Sequence, residues 1–390
     1  MIPTAAEPIV PMLAKAAADV PEPDSVEGGL VYEPKWDGFR GIVYAERAAA
    51  AAADADGPDA EAGPADTDGP DGPDATPLTI EIGSRGSKML TRYFPELVEA
   101  LARLLPGPCV LDGEIVVRTG EPGHERLDWD ALGQRIHPAA SRVAKLSVET
   151  PAMFVAFDLL ALGDRDLLDA PFAERRALLL DTVGTDGGAD ATAGGAGHPL
   201  HVSQATDDVA TARRWLTEFE GAGLDGVVAK PTRASYAPGK RTMLKVKHHR
   251  TADVVVLGYR VHKSGSGVGS LLLGLYDDEG ELRNVGGASA FSDARRLELV
   301  DELAPFVDRD DDGEVRHAET ERSRFSSGKD VSFVPLRPER VVEVRYDQME
   351  GSRFRHTVQV ERWRDDREAC SCGFDQLEVP AAYDLGEVLT

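Results

Sequence analysis

Cysteine is nearly missing from this chain of 390 residues, with only Cys109, Cys370 and Cys372 present. Three thiols build neither a disulfide framework nor a four-ligand zinc site, so a reducing, cytoplasmic setting is expected. The Cys370-Ser371-Cys372 pair is too closely spaced to complete a metal site without further ligands. Long apolar runs are also lacking. No stretch approaches the length needed to cross a bilayer, and no apolar N-terminal run precedes a cleavage-like site. A soluble chain with no membrane partner and no obvious export signal is expected. Positive charge is in deficit, with 43 Lys and Arg against 68 Asp and Glu and a formal net charge of -25. A surplus of that size argues against a polyanionic partner for the surface as a whole.

The deficit is unevenly spread. Lysine is scarce, yet Lys230, Lys240, Lys245 and Lys247 share one window with Arg233, Arg241 and Arg250. Acidity gathers elsewhere, in 54–74, which holds only negative charges and small residues, and in 308–314. The acidic total therefore reads as solubilising surface, with a local basic site retained inside it.

What is present is organised around Tyr32-Glu33-Pro34-Lys35-Trp36-Asp37-Gly38-Phe39-Arg40. β-favouring residues precede and follow the Asp-Gly pair, so the stretch predicts a strand, a turn and a second strand that lift Lys35 toward a pocket. A lysine is a nucleophile only if neighbouring cations or partial desolvation suppress its charge. Otherwise it is a solvated surface residue.

The length suits two or three domains, each with its own core. Residues 1–28 are rich in Pro and Ala, with an apolar cluster from Ile9 to Leu13 expected to pack on the domain that follows. Ala48 to Pro77 and the Gly/Ala/Asp stretch 183–197 cannot bury enough apolar surface to offset ordering, and predict disordered insertions. Strands are expected at Leu78–Ile82, Cys109–Val117, Ala152–Leu160, 223–230 and Met243–Lys247, and helices at Pro95 to Leu105, Leu127 to Ile136, Ala173 to Thr182 and Thr206 to Glu220. Alternation puts Lys245 and Lys247 on one side of their strand. From Asp253 onward short β segments with one helix at 293–304 predict a small β-barrel. His248 to Ala252 reads as a hinge, and the acidic residues 374–390 as a tail.

Lys35, Asp37, Arg40, Arg85, Glu114, Phe157, Asp225, Lys230, Lys245 and Lys247 together describe a nucleotide-handling site: a nucleophile, cations for phosphate, carboxylates for a hard metal and a ring for a base. At this point the chain resembles the covalent nucleotidyltransferase superfamily and, within it, the ATP-dependent DNA ligases. Lys35-Trp36-Asp37-Gly38 is similar to the adenylated-lysine motif. Ser84-Arg85-Gly86, Leu111-Asp112-Gly113-Glu114, Phe157-Asp158-Leu159-Leu160, Leu224-Asp225-Gly226-Val227-Val228-Ala229-Lys230 and Lys245-Val246-Lys247 follow in the family's order. Gly351-Ser352-Arg353-Phe354-Arg355-His356 is similar to the barrel motif of small bacterial repair ligases, closest to the stand-alone ligase C kind. Asp225 departs from the family's usual glutamate.

The resemblance implies an α+β chain: a nucleotidyltransferase domain of antiparallel sheets with flanking helices over 1–248, an OB-fold barrel over 249–373 and the acidic tail. It implies ATP as adenylate donor with Mg2+ or Mn2+, and a monomer acting on nicked double-stranded DNA in repair and recombination. Lys35 would carry AMP, with Asp37, Lys245 and Lys247 assisting. Glu33 and Trp36 would contact adenine through the backbone, with Phe157 and Val227 sandwiching it. Arg40 and Glu114 would hold the ribose, Arg85 and Lys230 would complete the nucleotide site, and Arg355 would face pyrophosphate. Glu114 and Asp225 would bind metal. Lys230, Arg233, Lys240 and Arg241 would border the DNA face. An RNA ligase, a capping-type guanylyltransferase and a non-catalytic nucleic-acid-binding protein are the rivals; an NAD-dependent ligase is disfavoured by the missing zinc-type cysteine set.

Overall fold

The computed structural model of the chain describes residues 2–47, 77–183, 198–319 and 331–389. The two expected insertions lie outside these, apart from Pro77 and Val183. The backbone divides into two units, Met1–Lys247 together with Pro380–Thr390, and His248–Val379.

The longer elements of the first unit are β1 (Leu13–Ala16), β2 (Leu30–Pro34), β3 (Phe39–Arg47), β4 (Leu78–Ser84), α1 (Pro95–Leu104), β5 (Cys109–Thr119), α2 (Trp129–Arg135), α3 (Ala140–Glu149), β6 (Ala152–Leu162), α4 (Phe172–Val183), β7 (Leu200–Val202), α5 (Val209–Glu218), β8 (Val227–Pro231) and β9 (Arg241–Val246). Helix starts follow local chemistry. Pro95 opens α1 without losing a needed N–H, and Asp208 caps α5 by accepting from the amides of Ala210 and Thr211. One sheet runs β1-β9-β8-β2, with β1 parallel to β9 and the rest antiparallel. The other runs β4-β3-β5-β6, antiparallel, with β7 added parallel to β6.

Side chains of the two sheets meet in shared cores. Leu30, Tyr32, Val227 and Val246 pack in one cluster with Val116, Met153 and Val155, while Met12 and Met243 pack with Ile42, Tyr44, Val110 and Leu160. A third cluster joins α1 and α4 to the second sheet through Leu97, Leu101, Leu179, Val43, Leu111 and Phe154. Strand β6 is buried on both faces, which explains why its sequence is a continuous apolar run instead of an alternation.

Residues 374–390, expected as a tail, are divided between the two units. From Pro380 the chain packs on the first: Leu385 and Val388 are buried in the cluster that holds Trp36, Trp215 and Phe219. Leu385 N donates to Glu125 O at 2.8 Å, and Gln204 Nε2 donates to Val388 O at 3.2 Å. A Cβ on Gly221 would lie 1.8 Å from Ala381 O, so the contact is close enough to require glycine. The apolar residues of this segment outweigh its acidic ones.

The second unit contains β10 (Arg250–Val261), β11 (Val268–Tyr276), β12 (Leu282–Ala288), α6 (Asp293–Leu303), β13 (Ser332–Pro335), β14 (Val341–Tyr346) and β15 (Gln359–Trp363). One edge of β10 pairs with β11, and the other is shared by β14 and β13. With β12 on β11 and β15 on β14, the bridge between Ala288 and Val358 closes five strands into a small barrel around Val254, Val256, Leu271, Leu273, Val342 and Val344. The irregular backbone at the expected hinge, His248 to Ala252, is shorter than the sequence suggested. Arg250 begins β10 and Ala252 lies in the barrel core, which confines irregular backbone to Lys247–His249.

Candidate active site

Lys35 follows β2, and the turn before β8 comes to meet it. Lys35 N donates to Gly226 O at 2.8 Å and Asp225 N donates to Lys35 O at 2.9 Å, so the two segments are stapled by a backbone pair. Gly226 has φ +132°, and a Cβ there would lie 2.0 Å from Val246 O. Only glycine fits. Gly38 is likewise pressed against β5, where a Cβ would lie 2.1 Å from Ile115 O.

The staple places Lys35 Nζ 2.5 Å from Asp225 Oδ2, and Lys247 Nζ reaches the same oxygen at 2.9 Å. Burial pushes the Asp225 carboxyl up, but the two ammonium groups outweigh it and hold it below the ordinary carboxylate value. Burial, then the charges of Lys35 and Lys247, pull the Lys245 ammonium below its ordinary value, with Asp225 opposing. The three lysines therefore share one electrostatic neighbourhood around one carboxylate.

Beside them a cavity of about 210 Å³ opens, walled by Glu33, Lys35, Trp36, Arg40, Arg85, Glu114, Phe157, Val228, Lys230 and Lys245, together with Leu13 and Ala14 of β1. The first sheet supplies β1, β2, β8 and β9; the second supplies Arg40, Arg85, Glu114 and Phe157. Arg40 lies over the Phe157 ring, 4.5 Å from its centroid, and grips Asp112 with Nε and Nη2 at 2.5 and 2.6 Å. Burial pushes the Glu114 carboxyl up to about 7, against Arg40 and Lys35 and with support from Asp37 and Asp112.

Several residues stand differently from their sequence-based roles. Val227 is fully buried in the core; because side chains alternate along β8, Val228 reaches the cavity in its place. Lys230, expected to border a DNA face, is instead turned inward. It is 4% exposed, with Nζ 2.8 Å from Glu33 Oε2 and 3.0 Å from Phe157 O. Burial pushes the Glu33 carboxyl up and the Lys230 ammonium down, each opposed by the other. With Arg176 3.2 Å away as well, the Glu33 side chain is committed to this pair. Trp36 is buried and donates its indole N–H to Ser203 Oγ at 2.9 Å.

Asp225 is a poor metal ligand, since one carboxylate oxygen already accepts two ammonium groups. Among the described residues no three His, Cys, Asp or Glu side chains cluster as a metal cage. Glu114, whose charge is opposed by nearby Asp37, better suits a hard cation that draws its remaining ligands from phosphate and water. Arg355 belongs to the second unit, where its Nη1 donates to Gln348 Oε1 at 3.1 Å.

Asp112, Asp158, Arg175, Arg176, Tyr236 and the β1 strand have no role among those expected from the sequence. Asp158 is buried against Arg175, which binds it through Nε at 2.7 Å and Nη2 at 2.9 Å. Asp112 and Asp158 stand inside quoted motifs, and an acid within an otherwise apolar strand was the available signal.

The sequence matches the ATP dependent DNA ligase domain over residues 76–247 and the ATP dependent DNA ligase C terminal region over residues 264–367. It is 50% identical over 393 residues to DNA ligase C of Mycobacterium tuberculosis, covering 98% of this chain and 97% of that protein. It is 48% identical over 388 residues to DNA ligase C1 of Mycolicibacterium smegmatis, covering 98% and 97%. The fold is similar to that of the solved structure Pmar-Lig_PreS3, with a TM-score of 0.53 at 16% identity over 92% of this chain and 69% of that one. The chain belongs to the ATP-dependent DNA ligase family.

Proposed function

We propose that the chain seals nicks in duplex DNA through an AMP carried on Lys35. The observation that bears most weight is the sharing of Asp225 Oδ2 by Lys35 and Lys247 at the edge of a cavity that Phe157 and Lys245 also line. Lys35 Nζ attacks the α-phosphorus of ATP; the N–P bond forms as the bond to the β-phosphate oxygen breaks and pyrophosphate leaves. The AMP then passes to a 5′-phosphate at the nick, and the 3′-hydroxyl displaces it to form the phosphodiester.

To attack, the Lys35 ammonium releases a proton to solvent and, as the neutral amine, gives up its contact with Asp225. Lys247, on the same oxygen, keeps that buried carboxylate compensated. Lys245 and Arg85 offer positive charge to the phosphates, and Arg40 and Phe157 frame the nucleoside end. A magnesium or manganese ion would neutralise phosphate charge, with Glu114 as its protein ligand and Asp37 beside it.

DNA is held through its phosphates, so affinity falls steeply with salt and is independent of sequence. Arg233, Lys240 and Arg241 are exposed and supply part of that face. Arg233 is engaged with Glu27 at 2.9 Å, but an exposed pair of this kind contributes little and exchanges readily for a phosphate. No helix of the described residues is long and apolar enough to cross a membrane. The setting proposed is that of a monomer serving DNA repair in the cytoplasm.

Incubation with α-labelled ATP and magnesium, followed by denaturation, is expected to leave label on the wild type and none on Lys35→Ala. Sealing of a labelled nicked DNA duplex, run beside RNA–DNA and RNA–RNA duplexes, separates a DNA ligase from an RNA ligase. Label that persists in Lys35→Ala rules the proposal out.

A further inference from the structure

Tyr236 lies in the loop between β8 and β9 and is 4% exposed. It belongs to no motif that the sequence singled out. Its hydroxyl donates to Asp112 Oδ2 at 2.7 Å and accepts from Met12 N at 3.0 Å. Asp112 is fully buried, and its other bonds go to Nε and Nη2 of Arg40. Arg40 Nη2 also reaches Met12 O at 3.3 Å. One phenol thus closes a ring formed by a cavity-lining arginine, the carboxylate that aims it, and the backbone residue that leads directly into Leu13 and Ala14 on the cavity wall.

The loop carrying Tyr236 is itself firmly held. Tyr236 N donates to Leu168 O at 2.7 Å, Arg175 Nη1 donates to Ala234 O at 3.1 Å, and the Arg175 guanidinium sits 5.7 Å from the centroid of the Tyr236 ring. Arg175 is in turn fixed by buried Asp158, which follows Phe157 in sequence. The bonds from Tyr236 to Asp112 and Met12 and from Arg175 to Asp158 are buried, at 2.7 to 3.0 Å, so these side chains are held with little rotational freedom.

We infer that Tyr236 is a positioning residue of the nucleotide site: it orients Arg40 through Asp112 and seats the N-terminal strand as one wall of the cavity. This rests on Arg40 facing the nucleotide, as proposed above. Tyr44 supplies an internal control. Its hydroxyl accepts from Ile9 N at 3.1 Å, so it also ties down the N-terminal segment, but no hydrogen bond joins it to Asp112.

The test is self-adenylation of the full chain across an ATP titration with magnesium. Tyr236→Phe is expected to raise KM for ATP about tenfold, the size of one lost hydrogen bond to a charged group, with kcat changed by less than about threefold. Tyr44→Phe is expected to leave both within about twofold. In an Arg40→Lys background, Tyr236→Phe should add less than about twofold, because the two changes act through one contact. Equal effects of Tyr236→Phe and Tyr44→Phe, or the full tenfold appearing on top of Arg40→Lys, would overturn the inference. If Tyr236→Phe unfolds below the assay temperature, Asp112→Asn, which retains the side chain's shape, must show the same rise in KM, and an unchanged KM overturns the inference as well. An Arg40→Ala variant with unaltered KM would instead remove Arg40 from the nucleotide site, a different failure from an altered Arg40→Ala beside a silent Tyr236→Phe.

Discussion

Lys35 and Lys230 each hold a carboxylate, and the pairs cross between the same two segments. Glu33 on β2 takes Lys230 at the end of β8, at 2.8 Å, while Lys35 just beyond β2 takes Asp225 just before β8, at 2.5 Å. The Lys230 and Glu33 side chains are 5% and 2% exposed; those of Lys35 and Asp225 are 20% and 9%. Solvent access separates their roles. Were the buried pair to separate, Glu33 would keep Arg176 at 3.2 Å but Lys230 would be left as an uncompensated buried ammonium, so Glu33–Lys230 joins the strands and forms a fixed wall of the cavity. Asp225 has a second ammonium, Lys247, on the same oxygen, so Lys35 can leave while the carboxylate stays paired.

The largest expected break in this comparison comes from the nucleophile. Lys35→Ala should reduce enzyme–AMP formation by on the order of 10³-fold or more, with thermal unfolding shifted little. Gel detection of labelled protein together with calorimetry checks both halves.

Lys230→Met should do the reverse. It leaves buried Glu33 with Arg176 as its remaining cation and is expected to cost about 2–3 kcal/mol of stability, less than for a wholly unpaired buried charge. The double change Glu33→Gln with Lys230→Met should restore much of that loss, as read from urea unfolding midpoints. Equal destabilisation by Lys230→Met and Lys35→Met would erase the distinction between the pairs.

Lys245→Ala sharpens the comparison on its reactive side. It is expected to slow single-turnover adenylation about 10²-fold while changing ATP affinity much less, since its charge is placed for the phosphates. A rise in the dissociation constant that accounts for the whole loss would contradict that role.

The smallest effect is the pH response of Glu114. Burial pushes its carboxyl up to about 7, so at magnesium concentrations too low to saturate the site the adenylation rate should rise several-fold between about pH 6 and 8 as the carboxylate forms. Stability carries the opposite sign. The folded state holds this proton more tightly than the unfolded chain, so the contribution is full below about pH 4.5 and is lost as pH rises through 7. Glu114→Gln should flatten both trends, and an unchanged rate profile in that variant would assign the titration to another group.

Much of the cluster around Asp225 was legible in the sequence because it depends on residue type and order. Lys35, Asp225, Lys245 and Lys247 are polar residues breaking β-patterned segments, and a strand or turn gives each a direction. Three features escaped for physical reasons. Val227-Val228-Ala229 lies in a strand buried along much of its length, so the sequence carries no polar beat to tell which valine faces the cavity. Leu13–Ala16 is short and contains two alanines, and its strand state comes from pairing in parallel with β9 more than from its own propensity. Tyr236 acts from a loop, where no periodicity assigns a side. The basic window misled in one respect: positive charge in sequence does not separate Lys230, which neutralises an internal acid, from Lys240 at the surface.

The re-entry of the chain at Pro380 makes the barrel a graft and the first unit its host. The host is therefore discontinuous in the gene, and a fragment cut after Lys247 lacks the side chains of Leu385 and Val388 that complete the packing beneath Trp36. A minimal adenylating polypeptide must splice residues 380–389 back on, and a truncation that stops short of them reports on a missing floor, not on the barrel it was meant to remove.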